Sequence, residues 1–216
     1  HGGGHDATCW AEVCHSLPGK YRCILPDARG HGQSDWSESG DYSCQSQVED
    51  LISLLEILEI DQCVIAGHSM GGLNALLLAG SCPERTAGLI LVDVGTETQD
   101  TGMKRVREAR EKRAKSAPVR QYDVTPAKSD ARLAEHVPTY LGDSQYRREL
   151  LKKADAPLLV IRGQRSGIMP LESAQATADL VGGMVREVPN SGHAVSLANP
   201  VATAGAIEEF LDSLNE

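Results

Sequence analysis

The apolar positions of this chain fall into two alternating patterns. Short continuous runs bounded by Gly, Pro, Asp or Asn occur at residues 21–25, 63–66, 88–93, 157–162 and 184–188. Runs of that length without a polar face are what strands covered on both sides look like. Between them the period lengthens to that of helices. Val48, Leu51, Ile52, Leu54, Leu55 and Leu58 line one face of a helix from Ser43, with Glu49, Asp50, Glu56 and Glu59 largely opposite. Further helices are predicted over 7–17, where Trp10, Val13 and Leu17 share a face, over 73–79, over 171–180 and over 201–214. Strand and helix in alternation predict an α/β fold with a mostly parallel sheet and helices on both faces.

Residues 95–156 break the alternation. They are poor in β-branched runs and rich in charge, with helical candidates at 103–116, 129–136 and 144–153, the first strongly basic. This stretch reads as a helical cap inserted into the core. The division predicted is therefore core 1–95, cap 96–156 and core 157–216. His136 and Tyr140 are placed either against a substrate pocket or in cap packing. Internal repeats and low-complexity tracts are absent.

Composition narrows the partners. The 216 residues are enough for one sizeable α/β domain. The net charge of −9 supplies no global basic field for nucleic acid or an anionic membrane surface. A small molecule is the default partner, and nothing calls for a metal or cofactor. No apolar run reaches the roughly 18 residues of a membrane span. Cys9, Cys14, Cys23, Cys44, Cys63 and Cys82 lack metal-ligand spacing, mostly sit among apolar neighbours, and read as small core fillers in a reducing, cytoplasmic setting.

The candidate chemistry centres on Gly67-His68-Ser69-Met70-Gly71-Gly72, which follows one apolar run and opens a helix-forming one. A serine on so tight a turn sits in a strained backbone conformation. Glycines two before and two after let the chain pass closely, and the hydroxyl projects into a cleft. The backbone NH of Met70, at a helix N-terminus, is then available to a developing oxyanion.

With this motif stand His1-Gly2-Gly3-Gly4, the segment Asp27-Ala28-Arg29-Gly30-His31-Gly32-Gln33-Ser34, and Pro189-Asn190-Ser191-Gly192-His193. In that order they resemble the landmarks of the α/β-hydrolase superfamily. The chain looks closest to esterases and cofactor-free haloperoxidase-like serine hydrolases with a His-Gly-Gly-Gly oxyanion loop. It is also similar to the opening of protein phosphatase methylesterases.

The resemblance implies Ser69 as nucleophile, His193 as general base, and the NH groups of Gly3 and Met70 as the oxyanion hole. It implies that Asp27 and His31 order their loop. In the family's pattern the chain opens at the end of the third strand, so strands one to three are absent. The third strand lies between the fourth and fifth, and its loss would leave a central gap. The family's usual acid position holds Ser166 and Gly167 here. The acid is then Asp93 at the end of the strand after the elbow, Glu172, or no residue at all. The activity implied is hydrolysis of a small carboxylic ester. The alternatives are a methylesterase or a catalytically silent binding module on the same fold.

Overall fold

The computed structural model describes residues 1–97, 129–133, 136 and 143–215. Four parallel strands form one sheet in sequence order: β1 (Cys63–His68), β2 (Thr86–Val92), β3 (Leu158–Gly163) and β4 (Met184–Val188). A 3-10 turn, Ala7–Trp10, leads into α1 (Ala11–Ser16), followed by α2 (Cys44–Ile57) and α3 (Met70–Ser81). Further along the chain come α4 (Ser144–Lys153), α5 (Leu171–Asp179), the short α6 (Val195–Ala198) and α7 (Pro200–Ser213).

The strands are apolar at consecutive positions because each face of the sheet has its own core. Leu89 and Leu91 of β2, with Leu158 and Val160 of β3, pack with Leu73, Leu76 and Leu77 of α3. Ile90, Val92, Leu159 and Ile161 point the other way, onto Trp10, Val13, Ile207 and Phe210. Side chains that alternate in direction along a strand thus meet helices on both sides, and neither face is left for polar residues. Helix starts follow capping chemistry: Ser43, Asp143 and Asn199 each accept a bond from a first-turn amide of α2, α4 and α7.

Three expectations are corrected. Residues 21–25 form no ladder, and residues 22–26 are exposed. An apolar run becomes a strand only when a neighbour takes its backbone groups, and nothing among the described residues does so here. Between this segment and β1 lies a cleft of about 1580 Å³, lined in part by Leu17, Ile24, Leu54, Leu58, Val64 and Leu211. The same cleft leaves the apolar face of α2 only partly covered: Val48 is buried, whereas Leu51, Ile52, Leu54, Leu55 and Leu58 are not fully so. Second, the helix expected from Ser129 does not begin there. Ser129 makes an isolated antiparallel bridge to His31, a turn follows, and Asp130 accepts from Tyr42 Oη and Arg132. Third, Cys23 is exposed, whereas Cys9 is buried and Cys14, Cys44 and Cys82 pack, partly buried, against the two cores. The 103–116 helix and Tyr140 lie outside the described residues. His136 is described: its ring bonds the Gly40 carbonyl and meets Tyr42 edge-on.

Candidate active site

The site forms at the C-terminal ends of β1, β2 and β4, where open α/β sheets gather their ligands. β1 runs into Ser69, whose φ of 52° and ψ of −112° lie in a region that L-residues rarely adopt. The flanking glycines are there for space. A Cβ on Gly67 would collide with the Gly71 carbonyl, and one on Gly72 with Val94 and the Gly67 carbonyl. The amides of Gly72 and Leu73 fold back on the Ser69 carbonyl, and Gly71 NH donates to the His1 carbonyl. That last bond ties the glycine-rich opening segment to the head of α3. Gly2 lies against the same turn, since a Cβ on it would stand 3.5 Å from Ser69 Cβ.

β2 ends in Asp93, which also has a positive φ, 52°. Its carboxylate is fully buried and takes three donors. Gly163 NH reaches Oδ1 at 3.0 Å; Ser166 Oγ and His193 Nδ1 reach Oδ2 at 2.6 and 2.8 Å. A buried carboxylate costs several kcal/mol in desolvation unless its lone pairs are matched this way. Ser166, at the family's usual acid position, is therefore a hydroxyl donor to the carboxylate. Its own oxygen accepts from the amides of Ile168 and Met169, which orients the O–H toward Asp93.

His193 stands on the loop after β4. Ser191 fixes that loop by bonding the Val188 carbonyl and accepting from Arg165 NH. Since Nδ1 faces a carboxylate, it carries the ring proton, leaving Nε2 with its lone pair. The Asp93 side chain is fully buried and that of His193 is 23% exposed, so the dyad is dry at the carboxylate and open at the base. His68, adjacent to Ser69, lies with its ring 4.6 Å from that of His193 and its Nε2 2.7 Å from the His193 carbonyl. Burial, then the neighbouring His193, push the His68 pKa well below the usual histidine value.

Asp27 and His31 hold the loops around the opening segment. Asp27 accepts from the amides of Ala7 and Gln33, and His31 Nε2 accepts from Gly4 NH. Glu172 is exposed in the first turn of α5. Asp93 and His193 thus meet directly, and Ser69 follows His68, whose ring lies against that of His193. Sequence reasoning missed the part of Ser166, whose only signal was its standing where an acid was expected, and that of His68, which carried none beyond its place before the serine.

A serine on a strained strand-to-helix turn, with a histidine held by a buried carboxylate on neighbouring strand ends, defines the hydrolase class of α/β proteins. The family comparison agrees: the alpha/beta hydrolase family profile matches residues 1–206, and the chain belongs to that family. It is 39% identical over 94 residues to an esterase of Mycobacterium tuberculosis, an alignment covering 44% of this chain and 31% of that protein. With 3-oxoadipate enol-lactonase 2 of Acinetobacter baylyi it shares 25% identity over 240 residues, 98% of this chain and 86% of the relative. The chain spans about a third of the length of the first curated relatives it matches. Among solved structures, an alpha/beta hydrolase of Novosphingobium aromaticivorans superposes with a TM-score of 0.78 at 27% identity, covering 98% of this chain and 87% of that one. The structure of E-2-(acetamidomethylene)succinate hydrolase superposes at 0.80 with 20% identity, over 98% and 89% of the two chains, a likeness of fold. Among the described residues no helix is long and apolar enough to cross a membrane.

Proposed function

We propose that this chain is a serine hydrolase that cleaves a small carboxylic ester through an acyl-enzyme. The observation that carries this reading is the 2.8 Å contact between His193 Nδ1 and the buried Asp93 carboxylate, beside the strained turn at Ser69. Ser69 Oγ attacks the ester carbonyl while His193 Nε2 takes its proton. Asp93 keeps the imidazole in the Nδ1–H tautomer and stabilises the imidazolium that forms. The Met70 and Gly3 amides receive the oxyanion; the next three amides of α3 are already engaged with His1 and Ser69. His193 then returns the proton to the leaving alkoxide, and water hydrolyses the acyl-enzyme by the same route in reverse. Similarity to an esterase and an enol-lactonase supports ester chemistry. The substrate proposed is a small molecule, the six free thiols accord with a cytoplasmic setting, and the roles assigned require no cofactor.

The test is covalent labelling by a fluorophosphonate probe together with turnover of p-nitrophenyl butyrate. Wild-type protein is expected to label at Ser69, and Ser69→Ala to lose both signals with its melting temperature nearly unchanged. Asp93→Asn should slow turnover by about 10³–10⁴-fold, because an amide cannot hold the Nδ1–H tautomer. Failure of the wild type to label would favour a silent binding module. Labelling that persists in Ser69→Ala would move the nucleophile elsewhere.

A further inference from the structure

The general base is held at two points, and only one of them is its side chain. Asp93 fixes the imidazole. The main chain of the same residue is fixed by His68, whose Nε2 lies 2.7 Å from the His193 carbonyl oxygen. A carbonyl only accepts, so Nε2 of His68 must carry the proton, and Nδ1 is left as a bare lone pair. That Nδ1 is buried without a hydrogen-bond partner among the described residues, and Gly2 closes on it so tightly that a Cβ there would stand 2.7 Å away. A second proton on the ring would have no acceptor among the described residues. The groups facing His68 are the His193 ring, the His5 ring stacked at 6.3 Å, and the amino terminus of His1. None of them is anionic. The surroundings hold His68 as a neutral Nε2–H tautomer with one donor and one target.

Apolar filling does not require this arrangement. A leucine would occupy the same volume without leaving a buried nitrogen unmatched, and an unmatched buried nitrogen costs stability. The other bond to the His193 carbonyl, from Val195 NH, comes from two residues further along the same chain and turns with it. The His68 bond comes instead from β1, the strand that carries Ser69. It therefore links the frame of the nucleophile to the frame of the base.

We propose that His68 is a positioning residue of the reaction: through the His193 carbonyl it sets the base in register with Ser69. This rests on the catalytic reading above. Misplacing a reacting group by about 1 Å costs on the order of 10²-fold in rate. His68→Leu should accordingly lower kcat about 10- to 100-fold with KM within about twofold. His68→Gln, whose Nε2 can donate along the same line, should stay within about threefold of wild type. A second measurement needs no substrate. The downfield proton resonance of His193 Nδ1–H against Asp93 should be sharp in wild type and His68→Gln, and broadened or shifted in His68→Leu. Melting curves establish that each variant folds.

Equal losses in Leu and Gln variants, or an unmoved resonance and kcat in His68→Leu, would overturn the assignment. If the wild type shows no turnover, the catalytic reading fails alone and the resonance still decides whether His68 positions His193.

Discussion

An interior strand of the sheet, β3, and an edge strand, β1, are built from similar residues and end in different states. In β3 all six residues are buried, because β2 and β4 flank the strand and helices cover both faces. In β1 only Gly67 and His68, at its C-terminal end, are buried, and Ala66 in mid-strand is exposed. Val64 and Ile65 are as apolar as Val160 and Ile161, so composition does not separate the strands. The neighbour does. On its outer side β1 faces the 1580 Å³ cleft and the unpaired 21–25 segment, where the family's strand order puts its third strand. The candidate site tolerates this because its bonds cluster at strand ends. The Ser69 turn is closed by Val92, His1 and its own helix, and Asp93 and His193 are bonded to each other beyond the ends of β2 and β4.

Hydrogen exchange would show the largest contrast, between the interior strand and the segment beyond the cleft. Amides of β3 can exchange only when the sheet opens, whereas the extended residues 22–26 have no ladder to protect them. Opening free energies in one protein range from near zero to the global stability, which for a domain is about 5–15 kcal/mol. The β3 amides are expected to exchange at least about 10³-fold more slowly than those of 22–26. Comparable rates at the two places would mean that the sheet is loose throughout or that the 21–25 segment is paired in solution.

Truncation gives a smaller and more local reading. Leu91, fully buried in β2, should cost about 2–5 kcal/mol as Leu91→Ala, through lost transfer energy and the cavity left behind. Ile24 is 38% exposed on the cleft. Ile24→Ala should cost under about 1 kcal/mol, since much of its surface is already in water. Denaturant titration checks both, and a large loss at Ile24 would show that the cleft is closed in solution.

This contrast also marks how far the sequence could be read. β1 to β4, and the helices over residues 44–57, 70–81, 144–153 and 171–179, follow from apolar runs, periods and caps, which are local properties. The 21–25 run has a strand's composition but no ladder, because pairing belongs to two segments at once. Similarly, the Gly-x-Ser-x-Gly turn and the Gly-His loop announce Ser69 and His193 through spacing. The carboxylate partner is not announced, because Asp93 is 100 residues from His193 and meets it only through strand order. Ser166 likewise has a part that only the folded chain shows, since its hydroxyl bonds an acid 73 residues away.

The smallest expected effect tests the buried C-terminal end of β1 through pH. His68 is fully buried, and its pKa lies well below the 6.5 of an unfolded chain, chiefly because burial disfavours the charged ring. Between the folded value and 6.5 the unfolded chain binds the proton and the folded one does not. Stability therefore rises with pH through this window and is lost as pH falls below about 6.5. For one such group the loss between pH 6.5 and 5.5 is about 1 kcal/mol. Other histidines titrate in the same range, so the quantity to measure is the difference in pH slope between wild type and His68→Gln, which carries no titrating ring at that place. Chemical denaturation at several pH values should give the wild type the steeper decline on the acid side. Parallel slopes would mean that water reaches His68 and that the C-terminal end of β1 is no better protected than the rest of that strand.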